Sequence, residues 1–179
     1  SGGRIEDSQL DLLELDLNSL ARTRHSAEVF NNRSRPLHLL VNNAGIMIPM
    51  LRRTADGFEA HLGINHLAHF LFTNLLLEAL RSAGRARVVM VSSLALSGAT
   101  LTPALHDLNW EQRKFRGFPS YGDSKLMNLM FARELHRRYS KDGIVANALH
   151  PGIIPTELAR DQNLIGMLLG ILALPFMRS

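Results

Sequence analysis

Tyr121 and Lys125 stand four residues apart in the stretch Tyr121-Gly-Asp-Ser-Lys125. On a helix, that spacing sets a phenol and an ammonium on one face, with Cβ atoms about 5–6 Å apart. A phenol titrates near pH ~10 unaided and carries protons poorly at neutral pH. A fixed positive charge beside it stabilises the phenolate and lowers that value. Tyr121 would then act as a general acid toward a carbonyl or a general base toward an alcohol. The pair alone is common on solvated helix surfaces, so its surroundings decide what it means. Ser93 offers a hydroxyl that could hold a substrate oxygen beside the phenol, although serine is also an ordinary cap or turn residue.

These groups need a scaffold, and the hydrophobic pattern supplies one. Residues 10–16 alternate and end in Asp16, which predicts a strand; Asn18 or Ser19 then caps a helix running to about Asn32. Leu37–Val41 reads as a buried strand that meets the turn Asn42-Asn43-Ala44-Gly45. Helical spacing extends from Asp56 to about Ala83, where Gly84 can end it. Arg87–Val91 is a β-branched strand running into Ser92-Ser93, and residues 97–118 read as a loop with a short turn. A helix follows from Pro119 to about Tyr139, with apolar positions at Leu126, Leu129, Met130, Ala132 and Leu135. Asp142-Gly143 stops it, and Ile144–Leu149 is a further strand closed by His150-Pro151-Gly152.

Strands that are continuous apolar runs alternating with helices predict an α/β fold with a parallel sheet covered by helices on both faces. Ligands of such sheets bind outside the carboxyl ends of the strands. Asp16, the Asn-Asn-Ala-Gly turn, Ser93 and Pro151-Gly152 are therefore expected along one edge.

A length of 179 residues suits one domain. Lys plus Arg number 20 against 16 Asp plus Glu, a net charge of +4. The basic residues are spread over several segments, though Arg133, Arg137 and Arg138 cluster on one stretch; a solvated helix face is expected and nucleic acid is not, since no basic-aromatic motif is read with the charge. The chain has no cysteine, which excludes disulfides, thiolate metal sites and a cysteine nucleophile. A metal site from His61, His66 and His69 would need all three on one helix face, and packed histidines are the expectation. A serine hydrolase using Ser93 and His150 would lack the G-x-S-x-G elbow. The apolar stretch Leu164–Pro175 is too short to span a bilayer, which takes about 20 residues. It is expected to cover a substrate pocket or the core, with association to a membrane surface as the alternative.

Taken together, Asn42-Asn43-Ala44-Gly45, Asn65 in Ile-Asn-His-Leu-Ala-His-Phe, Val91-Ser92-Ser93, Tyr121-x-x-x-Lys125 and Pro151-Gly152 resemble, in order and approximate spacing, the short-chain dehydrogenase/reductase family. The resemblance covers nearly all of residues 10–157. Residues 121–139, with Asp107-Leu108-Asn109-Trp110 before them, are similar to its retinol-dehydrogenase-like branch. The resemblance implies a Rossmann-like doubly wound parallel sheet and NADP, or NAD, as cofactor. It makes Tyr121 the acid-base residue, Lys125 the residue that binds the nicotinamide ribose and lowers the Tyr121 pKa, and Ser93 the residue that orients the substrate. Asn65 would hold a water in a proton relay. Asp16 would contact the adenine ring; Asn42, Ala44 and Gly45 would line the cofactor; Pro151, Gly152 and Thr156 would hold the carboxamide and nearby phosphate. A hydrophobic alcohol, aldehyde or ketone is the implied substrate, with residues 153–179 as a lid. A homo-oligomer and an intracellular setting, cytoplasmic or membrane-associated, fit the same reading.

The family's glycine-rich turn G-x-x-x-G-x-G has no counterpart before Asp16. In the family it cradles the pyrophosphate at a helix N-terminus. The fold is thus expected to be incomplete, a single partial domain over 1–179 without the first two strands and the last. The strand at 10–16 then lacks a neighbour and Leu37–Val41 has an open edge. Residues 1–179 alone are expected to bind dinucleotide poorly or not at all. The rival to an active oxidoreductase is a truncated, non-catalytic relative that serves as a binding or regulatory module, or an inactive fragment.

Overall fold

A computed structural model of the protein describes residues 10–100 and 105–152. Three parallel strands make its sheet: β1 (Leu39–Asn42), β2 (Ala86–Val91) and β3 (Ile144–Leu149), in that spatial order. Leu40 pairs with Val88 and Val88 with Ala146, while Asn42 pairs with Met90 and Met90 with Ala148. Side chains alternate across a strand, so these residues share one face. Val88 and Met90 on that face are fully buried under Leu80, Phe131, Ala132 and Leu135. The opposite face carries Leu39 and Val41, 55% and 50% exposed. The expected cover on both faces is thus present on one face among the described residues.

The helices are α1 (Leu20–Asn31), a π-helical stretch (His61–Leu67) that continues as α2 (Ala68–Leu75), α3 (Leu77–Ser82) and α4 (Gly117–Tyr139). Ser19 caps α1, its hydroxyl accepting from Arg22 N–H at 3.3 Å. Ala27 of α1 packs against Phe72 and Leu76 in a second apolar cluster.

Four expectations need correction. Residues 10–16 form no strand: a strand is held by ladder bonds to a neighbouring strand, and among the described residues this segment lies against α1, with no strand paired to it. The long helix begins at Ala60 rather than Asp56, because Thr54–Gly57 form a turn in which Gly57 adopts φ +83°. Asp56 instead accepts the Leu20 N–H at 2.8 Å and so helps to start α1. The same helix breaks at Leu76, whose φ of −96° and ψ of 5° leave the helical region. On α4, Leu129 and Met130 face outward, 40% and 55% exposed, while Lys125 and Asn128 are buried. Those polar side chains are interior because each finds a partner there.

Gly143 ends the turn between α4 and β3 at φ +82°, and a Cβ at that position would lie 2.2 Å from the Gly84 carbonyl oxygen. Gly84 itself has φ +67° but open space around it. Gly143→Ala therefore meets both left-handed strain and a backbone collision, an expected loss of about 3 kcal/mol. Gly84→Ala meets only the strain, about 1 kcal/mol. Urea unfolding of the two variants reads the difference directly, and equal midpoints would contradict it.

Candidate active site

Lys125 is clasped by the end of β2. Its Nζ donates to the Val91 carbonyl at 3.0 Å, and the Ser92 hydroxyl donates to the Lys125 carbonyl at 2.8 Å. Neighbouring residues at one strand end thus grip one residue of α4 by its side chain and its backbone. Lys125 is only 3% exposed, and burial alone brings its pKa down to about 8. One of its three protons is committed to Val91, which leaves two donors for a ligand.

Asn65, in the π-helical stretch, holds the segment that follows β1. Its Oδ1 accepts the Ile46 N–H at 2.8 Å, and its Nδ2 donates to the Ile46 carbonyl at 2.9 Å and to Ser124 Oγ at 3.1 Å. Its own carbonyl accepts from Asn128 Nδ2 at 2.8 Å and from His69 Nδ1 at 3.1 Å. Gly45 is wedged into this joint. A Cβ there would lie 3.2 Å from Asn65 Oδ1 and 3.3 Å from Lys125 Nζ, so glycine keeps the approach to the ammonium open. π-Helical turns of this kind are frequent at functional sites.

Tyr121 stands one turn before Lys125 on α4, with the ammonium 5.4 Å from the centre of its ring. Burial pushes the phenol pKa above its ordinary value, and the Ser93 hydroxyl pulls it part of the way back. Desolvation outweighs the polar neighbour. Ser93 also caps the short 3₁₀ turn Leu94–Gly98 by accepting the Ala95 N–H at 3.2 Å. A phenol, a hydroxyl and an ammonium therefore converge at the carboxyl end of β2. That set can exchange a proton with a small oxygen-bearing substrate and hold a polyhydroxyl ligand nearby.

Comparison with known proteins carries this further. The family model described as short chain dehydrogenase matches residues 3–102, more than half of the chain. The chain belongs to the short-chain dehydrogenase family. Human retinol dehydrogenase 12 is 44% identical over 174 residues, which is 97% of this chain and 54% of that protein. Human retinol dehydrogenase 13 is 39% identical over 164 residues, 92% of this chain and 49% of that protein. This short-chain dehydrogenase chain thus spans about half the length of the curated relatives it matches. Among solved structures, an uncharacterised protein from Mycobacterium paratuberculosis superposes with a TM-score of 0.69 at 42% identity, covering 82% of this chain and 52% of that one. The NADPH-bound carbonyl reductase from chicken fatty liver does so with a TM-score of 0.65 at 26% identity, covering 84% and 58%. The incomplete Rossmann-like sheet expected from the sequence is the fold these likenesses support.

Within this short-chain dehydrogenase chain the expected site residues separate into groups. Asn65, Ser93, Tyr121, Lys125 and Gly45 meet at the carboxyl edge of the sheet, and Ala44 adjoins Gly45. Asn42 does not open toward a ligand: its Nδ2 donates to Thr73 Oγ1 at 2.9 Å and approaches Met90 Sδ, and the residue is 3% exposed. Asp16 lies in the turn before α1, where its carboxylate accepts from Asn18 N and Arg22 Nη1. Pro151 and Gly152 are exposed just past β3, with Gly152 at φ +86°. Thr156, the lid over 153–179 and the stretch 164–175 lie outside the described residues.

Sequence reasoning passed over Ser124 and Asn128, which hold Asn65 in place, and also Glu59; it read Ser92, which holds Lys125, only as part of a motif and His61 only as a candidate metal ligand. Ser124 lay inside the motif that was read. Asn128, whose Oδ1 bonds the His66 ring at 3.0 Å, gave no signal beyond helical spacing. The three candidate metal histidines each have a separate protein partner: His61 bonds the Ile48 N–H, His66 bonds Asn128 and His69 bonds the Asn65 carbonyl.

Two buried bases give this short-chain dehydrogenase a predictable response to pH. Burial is the main reason the His69 pKa falls to about 4 from 6.5, and the residue is 3% exposed. The unfolded chain then binds the extra proton first on acidification. Stability is held above pH 6.5 and falls by about 3 kcal/mol as pH drops toward 4. Lys125 acts by the same rule in a higher window: its burial costs stability below pH 8, and that cost is relieved as pH rises toward 10.5. Urea midpoints across this range should rise, level off, and rise again above pH 8. In Lys125→Met the upper rise should be missing.

Proposed function

We propose that this chain carries the proton-transfer half of an NAD(P)-dependent oxidoreductase acting on a hydrophobic alcohol, aldehyde or ketone, with NADP as the favoured cofactor and NAD as the alternative. The observation that carries the reading is the convergence of Tyr121, Ser93 and Lys125 at one sheet edge, with Gly45 leaving room in front of the ammonium. The names of the relatives add the substrate class, and the NADPH-bound neighbour adds the cofactor.

In this reading Tyr121 gives its proton to the carbonyl oxygen during reduction and takes it back during oxidation. Ser93 holds that oxygen in place by a hydrogen bond. Lys125 offers its two uncommitted protons to ribose hydroxyls. Asn65 keeps residues 44–46 clear of the approach. A bound nicotinamide supplies or accepts the hydride. The residues present fit the nicotinamide end of such a ligand. The 179 residues hold no G-x-x-x-G-x-G for the pyrophosphate end; the second reading is a non-catalytic module of the same fold.

The test compares the 179-residue chain with a fusion that places a relative's glycine-rich βαβ unit ahead of Ser1. Oxidation of NADPH is followed with a long-chain aldehyde and with retinal. Turnover by the fusion supports the first reading. Dinucleotide binding by the fusion without turnover on any carbonyl substrate supports the second.

A further inference from the structure

Beneath Tyr121 lies a buried pair that the proton-transfer reading does not use. Glu59 and His61 are 1% and 0% exposed. The Glu59 carboxylate accepts the His61 N–H at 3.0 Å and the Leu62 N–H at 2.9 Å, closing the start of the π-helical stretch. Burial works against its ionisation, yet the hydrogen bonds from the His61 side chain and these two N–H groups leave it below the usual carboxylate range. Its own N–H donates to Asn109 Oδ1 at 3.0 Å.

The His61 ring is specified atom by atom. Ile48 N–H can only donate, and it reaches Nε2 at 2.9 Å. Nε2 is therefore bare and Nδ1 carries the proton. Nδ1 lies 3.1 Å from Glu59 Oε1 and 3.2 Å from Ser120 Oγ. One imidazole thus joins three segments: the start of the π-helix, the stretch beyond Gly45, and the first turn of α4 one residue ahead of Tyr121. Its ring stacks on Phe115 with centroids 6.3 Å apart and meets the Tyr121 ring edge-on at 5.9 Å. Gly117 closes the same joint, since a Cβ there would lie 2.6 Å from the Ile48 carbonyl oxygen.

We infer that Glu59 and His61 are positioning residues for Tyr121: the carboxylate fixes the tautomer and tilt of the imidazole, and the imidazole fixes the phenol ring against Ser93. The consequence for turnover rests on the proposed role of Tyr121; the positioning itself does not. A displacement of about 1 Å in a reacting group can cost roughly 100-fold in rate, so the joint has leverage on chemistry without touching substrate.

The test has a part that needs no cofactor. In the 179-residue chain, nitrogen NMR should show His61 neutral with Nδ1 protonated, and proton NMR should show contacts from its ring to the Tyr121 ring and the Ile48 amide. A protonated Nε2 or the absence of these contacts would overturn the inference. Glu59→Gln keeps size but turns an amide N–H toward Nδ1–H or removes an acceptor from a backbone N–H. Its ring contacts to Tyr121 should weaken or vanish while circular dichroism is retained; unchanged contacts and tautomer would also overturn it. If that variant does not fold, the spectra of the unsubstituted chain still decide. In an active fusion, Glu59→Gln and His61→Phe should lower kcat about 100-fold with KM little changed, whereas a merely structural pair would lower the unfolding midpoint and leave kcat alone. Absence of turnover in the unsubstituted fusion refutes the catalytic reading and leaves the NMR result standing.

Discussion

Tyr121→Phe is expected to lower kcat/KM of an active fusion by about 10²–10⁴-fold, the range for removing a positioned general acid. The substitution deletes one oxygen and keeps the ring that meets His61 edge-on. Stability should therefore change little, by about 1 kcal/mol at most. Lys125 keeps its bond to Val91, so dinucleotide affinity should hold within a few-fold. The combination of lost turnover, retained fold and retained binding is what separates a proton donor from a packing residue. The wild-type phenol also has a predictable pH behaviour. With its pKa above the ordinary value, Tyr121 is protonated at neutral pH, which suits carbonyl reduction. Alcohol oxidation needs the phenolate and should accelerate as pH rises. Turnover that survives in Tyr121→Phe would sink the assignment.

Asn65→Ala is expected to cost about 3–5 kcal/mol, a large share of the stability of a single domain. Asn65 is fully buried and makes three side-chain hydrogen bonds, two of them to the backbone of Ile46. Truncation leaves the Ile46 N–H, the Ile46 carbonyl and Ser124 without this partner in a dry environment, and each unmet buried group costs about 1–3 kcal/mol. The damage should be local before it is global. The Ile46 and Ile48 amides should lose exchange protection first, because the segment beyond β1 is held by Asn65 and His61. Leu129→Ala, on the outward face of α4, is the control and should change stability by about 0.5 kcal/mol or less. Similar unfolding midpoints for the two variants would refute the role described for the buried Asn65 bonds.

Much of the architecture could be read from local pattern. The strand at 144–149, the Ser19 cap and the stop at Gly143 emerge where the sequence puts them, because each depends on neighbours along the chain: an apolar run, a hydroxyl before a helix, a glycine that reaches positive φ. The chemistry of the Tyr121–Lys125 pair was legible for the same reason, since helical spacing alone brings the two side chains to one face. Residues 10–16 mark the limit of this reasoning. Their alternation is a strand pattern, but a strand exists only with a partner, and sequence periodicity does not report one.

Tyr121 and Lys125, four residues apart, were determined by the sequence itself: their types, their order and the helix that carries them. Only the tertiary structure decided how they are held. It decided that Val91 and Ser92 grip Lys125, that Asn65 pins Ile46, that Asn42 faces Thr73, and that burial raises the phenol while lowering the ammonium. Hydrogen-bond partners distant in sequence and the exclusion of water both arise from three-dimensional packing. Neither leaves a periodic mark in the chain, which is why the pairing of Glu59 with His61 became visible only once the helix, the segment beyond β1 and the first turn of α4 were brought together around one imidazole.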